Sequence, residues 1–327
     1  MGPARRIGIS RWLCALIVGS ALGATARAEP VAIRMGAGPA PDEQLWLMES
    51  RPDLTPNQGK AYIYKLSITR ASNERYTAYE AGQLDAGSTS MTAAIFAASK
   101  GIDLKLVAKM ARESLVDFST SAMALADNDV STTNLKDKTI AINGYRTSIE
   151  LYPRIAVLKA GLNPDRDVKW IVMPFPQMAD ALRAHKVDIA ILPTQFAYFA
   201  KREGGFKTVF TSASISGVEE EQDVYFSPDF LAKHPDAVRA WAQDFAAVTR
   251  YLLDHQREAR QSLLDAKFVN IEPDIYLAMT AKDDLGRTAD IKPSIDTLSK
   301  VQEMLLKVGF TETRVDVSKI IDTSFVP

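Results

Sequence analysis

Few residues in this chain are of a type that does covalent chemistry. There are three histidines, His185, His234 and His255. No two stand at the spacing that a zinc site or a histidine-based triad needs. Cys14 is the single cysteine. It lies in an apolar amino-terminal stretch, so beyond it no disulfide, thiolate metal site or thiol nucleophile is expected. Asp85 and Asp188 look at first like paired catalytic carboxylates. Each, however, follows the end of a helix and opens a short strand, at equivalent points of different halves of the chain. Glu219-Glu220-Glu221 reads as a solvated loop. No catalytic residue, metal centre or cofactor is expected.

Binding groups are plentiful instead. Hydroxyls, amides and glycines gather just before helices, at Gly38-Pro39, Ser72-Asn73, Ser88-Thr89-Ser90, Tyr145-Arg146-Thr147-Ser148 and Thr194-Gln195. A helix amino terminus offers unpaired N–H groups and a partial positive charge, which suits an anion. Arg146 is the distinctive member of the set. A cation at that point opposes the helix dipole by roughly 0.3–1 kcal/mol. An anionic ligand would offset this with a charge-assisted bond. A carboxylate or sulfonate ligand is therefore expected, with Tyr145, Phe196 and Tyr198 as aromatic walls.

The elements that must position these groups are legible around residues 136–162. Thr139-Ile140-Ala141-Ile142 is a short apolar run suited to a buried parallel strand. Asn143-Gly144-Tyr145-Arg146 is a turn, Thr147 or Ser148 can cap a helix, and Gly161 supplies its left-handed stop. Strand, tight turn and helix build a ligand crevice at the carboxyl ends of the strands in an open α/β sheet. Gly36-Ala37-Gly38-Pro39 superficially suggests a phosphate loop, but neither a G-x-G-x-x-G nor a Walker pattern is completed.

The same alternation recurs along the chain. Strands are expected near residues 31–35, 61–69, 84–87 and 104–110, with helices between them, and then a strand at 118–126 leaving this first unit. A second unit repeats the pattern to residue 211. A strand at 223–226 returns, and mostly helices follow. Tyr79-Glu-Ala-Gly-Gln-Leu-Asp85-Ala aligns with Leu182-Arg-Ala-His-Lys-Val-Asp188-Ile, a weak internal repeat that supports two related lobes.

Residues 1–28 read as a secretory signal. Arg5, Arg6 and Arg11 precede an apolar stretch too short to span a bilayer, and Ala26-Arg27-Ala28 fits the small-x-small rule, with cleavage expected after Ala28. The context of Cys14 does not suit a lipoprotein. Loss of the leader lowers Lys plus Arg from 39 to 35 against 40 acids, moving the formal charge from −1 to −5. That mild acidity argues against a nucleic-acid partner.

Taken in order, several stretches carry a family likeness. These are Ala81-Gly82-Gln83-Leu84-Asp85-Ala86-Gly87, then Gly101-Ile102-Asp103-Leu104-Lys105-Leu106-Val107-Ala108, then Asn134-Leu135-Lys136-Asp137-Lys138-Thr139-Ile140-Ala141. Ala160-Gly161-Leu162-Asn163-Pro164, residues 181–188 and Leu231-Ala232-Lys233-His234-Pro235-Asp236-Ala237-Val238 follow. With this order and spacing, the chain resembles periplasmic solute-binding proteins of the nitrate/sulfonate/taurine class of ABC importers. The resemblance implies a type II periplasmic-binding-protein fold, α/β, with two doubly wound mixed sheets and a ligand cleft between them. It further implies a monomer that captures a small solute and delivers it to inner-membrane permease subunits. Lobe one is expected over residues 29–118 plus 226–327 and lobe two over 119–225, with hinges near 119–122 and 222–225. His185-Lys186 departs from the glycine usual there, and residues 177–180 lack an obvious ligand group, so the relatives' solutes are not carried over. The alternative is a thiamine-pyrimidine-synthase-like enzyme or a pyrimidine-precursor binder of the same fold. That enzyme depends on a cysteine-rich segment and a reactive histidine, and the mature chain has no cysteine.

Overall fold

Asp85 and Asp188 each fasten the same knot of hydrogen bonds, and a five-stranded sheet is built around each. Asp85 Oδ2 accepts from the backbone N–H of Arg34 at 2.9 Å, and Asp188 Oδ2 accepts from that of Thr139 at 2.7 Å. In return the Asp85 and Asp188 N–H groups donate to the carbonyls of Arg34 and Thr139, each at 2.9 Å. The preceding helix stops the same way in both places, at left-handed Gly82 (φ 68°) and left-handed His185 (φ 51°). The two aspartates are thus fold positions, and His185 holds a backbone conformation that glycine fills without steric cost.

The computed structural model describes residues 1–2, 29–114, 119–278 and 284–327. The expected signal segment, apart from its first two residues, lies outside them. The first unit runs β1 (Val31–Ala37), α1 (Glu43–Ser50), β2 (Tyr62–Ile68), α2 (Ser72–Glu80), β3 (Ala86–Ser90), α3 (Met91–Ser99) and β4 (Lys105–Arg112). The second runs β5 (Ser121–Leu125), β6 (Thr139–Ile142), α4 (Ser148–Lys159), β7 (Lys169–Val172), α5 (Phe175–Arg183), β8 (Ile189–Leu192), α6 (Thr194–Glu203), β9 (Phe206–Thr211) and α7 (Ser212–Ser216). Then β10 (Glu221–Phe226) returns, followed by α8 (Pro228–Lys233), α9 (Pro235–Asp254), α10 (Gln256–Asp265), α11 (Pro273–Leu277) and α12 (Ile295–Lys307).

The sheets have matching order, β2-β1-β3-β10-β4 and β7-β6-β8-β5-β9. In each, four strands share one direction and the crossing strand, β10 or β5, lies antiparallel between its two neighbours. The α/β two-sheet class expected from the sequence is therefore the observed one. One boundary moves. Gln222 to Tyr225 lie within β10, which is paired on both edges within the first sheet. The return to lobe one accordingly falls before Glu221 rather than at residue 226. Helix α11 spans Pro273–Leu277, and residues 279–283 lie outside the described ones.

Both faces of the first sheet are covered, as buried parallel strands require. On one side Trp46 and Met48 of α1 meet Trp241 and Phe245 of α9. On the other, Tyr225 packs with Ile95 of α3 and Leu298 and Leu305 of α12, and with fully buried Leu151 of α4. A helix of the second unit thus contributes to a core of the first. The second sheet has its own core around Ile140, Met178, Ile189 and Tyr152. No helix among the described residues is long and apolar enough to cross a membrane.

Candidate ligand-binding cleft

The carboxyl ends of the strands in the two sheets face each other across a cleft with a cavity volume of about 80 Å3. Two hydrogen bonds span its edges. Asn143 Nδ2 donates to the Arg70 carbonyl at 3.1 Å, and Gln195 Nε2 donates to the Pro39 carbonyl at 3.0 Å. Beside the first of them the Gly144 backbone packs closely against side chains of the other lobe. A Cβ on Gly144 would stand 2.8 Å from both Ala71 Cβ and Asn73 Oδ1, so this turn needs glycine for close approach rather than for conformation.

The floor is made by the two chain crossings, and each carries a glutamate, Glu113 half-buried and Glu220 buried. Glu113 accepts from Thr120 N–H at 2.8 Å, Thr120 Oγ1 at 2.6 Å and Ser212 Oγ at 2.7 Å. Glu220 accepts from the Thr92 N–H of α3 at 2.7 Å and from the Tyr152 hydroxyl of α4 at 3.0 Å, one partner from each lobe. Burial pushes the Glu220 carboxyl up to about 7, and burial also raises Glu113 and Glu221. Glu221 accepts from Ser294 N–H at 2.9 Å. The solvated loop expected at Glu219-Glu220-Glu221 is therefore corrected. Glu220 and Glu221 are buried cleft walls, and Glu219 alone remains part-exposed, 3.6 Å from Arg112. A run of like charges hides this because the backbone and hydroxyl donors that satisfy it come from distant segments.

Three arginines line the cleft, Arg70, Arg75 and Arg112. Arg75 is fully engaged, donating to Ser88 O at 2.6 Å, Thr69 Oγ1 at 3.0 Å and Ser72 Oγ at 2.9 Å. The other two keep capacity. Arg70 pairs with Glu74 at 2.5 Å and Arg112 faces Glu219, yet the Nε of each is buried without an acceptor. The Asn143 Oδ1 atom, on a residue only 6% exposed, is likewise without a donor. Helices α2, α4, α5 and α6 start at the cleft with no side-chain cap on their first N–H groups, and Ala71, Ser148, Phe175 and Pro193 at these starts are walls. Ile149, Tyr152, Phe175 and Leu285 add an apolar lining. The arrangement offers donors for an anion beside surface for a carbon skeleton.

Of the residues expected at the site, Gly38, Pro39, Ser72, Ser90, Thr147 and Ser148 line the cleft. Gln195 bridges its edge, Asn73 lies against Gly144, and Thr194 opens α6. Ser88 is drawn away to the Asp42 carboxylate, and Thr89 to the Tyr76 hydroxyl at 2.7 Å. Tyr145 is 44% exposed, and neither it nor Arg146 is among the walls. Phe196 packs behind Phe175 with tilted rings, centroids 5.3 Å apart, and Tyr198 packs on the core of the first sheet.

Arg146 is the main correction. Its backbone is left-handed (φ 59°), and its guanidinium lies over the rings of Phe310 at 4.7 Å and Phe96 at 5.6 Å, both in lobe one. The acid that complements the dipole of α4 is present after all. It is Glu150, which accepts from the Arg146 N–H at 2.5 Å. Arg70, Arg112 and Asn143 carry no helix-start signal in the sequence. All three stand at or just beyond the carboxyl ends of strands, β2, β4 and β6, which the crevice rule equally marks.

The fold and the facing strand ends define a two-lobed clamp of the periplasmic-binding-protein type. Residues 26–266 match the model of the NMT1-like family, and the chain belongs to that family. Among curated proteins none matches. Its fold is similar to that of the alkanesulfonate-binding protein SsuA from Xanthomonas axonopodis pv. citri bound to MOPS (TM-score 0.73, 16% identity, covering 91% of this chain and 100% of that one). The periplasmic aliphatic sulphonate binding protein SsuA from Escherichia coli is similar at TM-score 0.70 and 16% identity over 90% and 92% of the chains. The periplasmic nitrate-binding protein NrtA from Synechocystis PCC 6803 gives 0.74 and 11% over 91% and 87%.

Proposed function

We propose that this protein is the solute-binding component of an ABC import system, exported to the periplasm and acting as a monomer. It captures a small organic anion, a sulfonate or carboxylate, between its lobes and hands it to the permease subunits. The observation that carries this reading is the pair of buried, acceptor-free Nε–H groups of Arg70 and Arg112 in a cleft where four uncapped helix starts converge. The apolar lining favours an organic anion over a small inorganic one.

The test is a thermal-shift screen of purified mature protein against alkanesulfonates, taurine, aromatic carboxylates, nitrate and pyrimidines. Organic anions are expected to raise the melting temperature. A rise with pyrimidines or cations alone would replace this reading with the pyrimidine-precursor one or with a cation binder.

A further inference from the structure

The segment before α12 sends one residue to the cleft in a conformation that leucine rarely takes. Leu285 has φ 55° and ψ 34°, the left-handed region that crowds any residue with a Cβ. Such a conformation persists where the surroundings over-determine it, and these positions gather at ligand clamps. The surroundings here are explicit. At Gly286 (φ 58°) a Cβ would stand 2.8 Å from the Arg112 carbonyl oxygen, so the segment lies directly on the end of β4. The buried Arg287 guanidinium donates to Gln44 Oε1 at 3.0 Å and pairs with the Glu43 carboxylate. Further on, Ile291 O accepts from Lys109 N–H at 2.6 Å. Leu285 is thereby held, 4% exposed, as a cleft wall beside Ala111 and Arg112. Among the described residues it is the one wall drawn from the chain beyond β10.

We infer that Leu285 is a specificity-determining residue that limits the apolar part of the solute. The inference rests on the organic-anion reading. A leucine needed only to fill the core would sit as well in a relaxed backbone. This one is pinned on both sides so that its side chain meets the cleft next to the cation that receives the anionic head.

The experiment measures dissociation constants for the n-alkanesulfonate series from methane- to octanesulfonate in wild type, Leu285→Ala and Leu285→Gly. The glycine variant also relieves the left-handed backbone, so it keeps a folded comparison if the alanine variant is unstable. Truncation is expected to shift the preferred chain to longer members, improving the longest relative to the shortest by about tenfold, the worth of two buried methylenes. In wild type, amide exchange at residues 285–287 should slow on adding hexanesulfonate. An unchanged chain-length profile with unchanged exchange overturns the role of Leu285 while leaving the anion reading intact. Failure of wild type to bind any member, or the matching carboxylates, overturns both.

Discussion

The Arg146 guanidinium rests 4.7 Å from the centroid of the Phe310 ring, and Arg154 approaches the same ring at 5.4 Å. Phe310 belongs to lobe one and both arginines to α4 or the turn before it, so the ring is a fastening point between the lobes. A partly desolvated cation–π contact contributes roughly 0.5–2 kcal/mol. Arg146→Ala is expected to lower unfolding free energy by about 1 kcal/mol, and Phe310→Leu by at least as much. The denaturant double-mutant cycle should return a coupling of 0.5 kcal/mol or more, as an estimate of about that size follows from contact alone. A coupling of zero would separate the two residues.

Glu220 ties α3 of one lobe to α4 of the other, and its carboxyl is held up to about 7 by burial. Its ordinary value in the unfolded chain is near 4.5. The folded state therefore binds the proton more tightly, so stability is greatest below the unfolded value and falls as pH rises toward 7. Glu113, Glu221 and Asp223 are shifted in the same direction by burial. Chemical denaturation from pH 5 to 8 should show falling stability, and Glu220→Gln should flatten part of that slope and stabilise the fold at pH 8. Equal slopes in both proteins would place the proton elsewhere.

Gly144 sets how closely the lobes approach. A methyl group there meets Ala71 and Asn73 of the other lobe at 2.8 Å. Gly144→Ala is expected to leave melting temperature nearly unchanged while weakening solute binding by about tenfold, a coupling of about 1.4 kcal/mol. Small-angle scattering with solute present should give a larger radius of gyration than wild type. Wild-type affinity in this variant would mean that these edges do not meet in the bound state.

The repeat in the sequence was the most legible part of the fold. Leu84-Asp85 and Val187-Asp188 mark where each sheet ties its strand, and the structure gives both aspartates the same bonds. His185 obscured the match because glycine is the usual occupant of a left-handed stop. His185→Gly is expected to stabilise the protein by about 0.5–1 kcal/mol, measured by denaturant midpoint. No gain would mean that the imidazole makes an offsetting contribution.

The cleft was half legible, for a physical reason. Helix starts announce themselves locally through Ser, Thr and Gly, so Gly38, Ser72, Ser90 and Ser148 were found. Arg70, Arg112, Glu220 and Leu285 become cleft walls only through pairings across long sequence separations, such as Glu220 with Thr92 and Tyr152. The place of Arg146 is not legible from its local electrostatics, because Glu150 four residues on and Phe310 in the other lobe decide it.

The most direct measurement of the central claim is calorimetric titration of butanesulfonate into wild type, Arg70→Gln and Arg112→Gln. Wild type is expected to bind one equivalent. Each substitution should weaken binding about tenfold to a hundredfold, as loss of a charge-assisted bond worth about 1.5–3 kcal/mol implies. Both variants should melt within a few degrees of wild type. Undiminished affinity in both variants, or no binding of this or any other organic anion to wild type, would contradict the assignment of this cleft to an anionic solute.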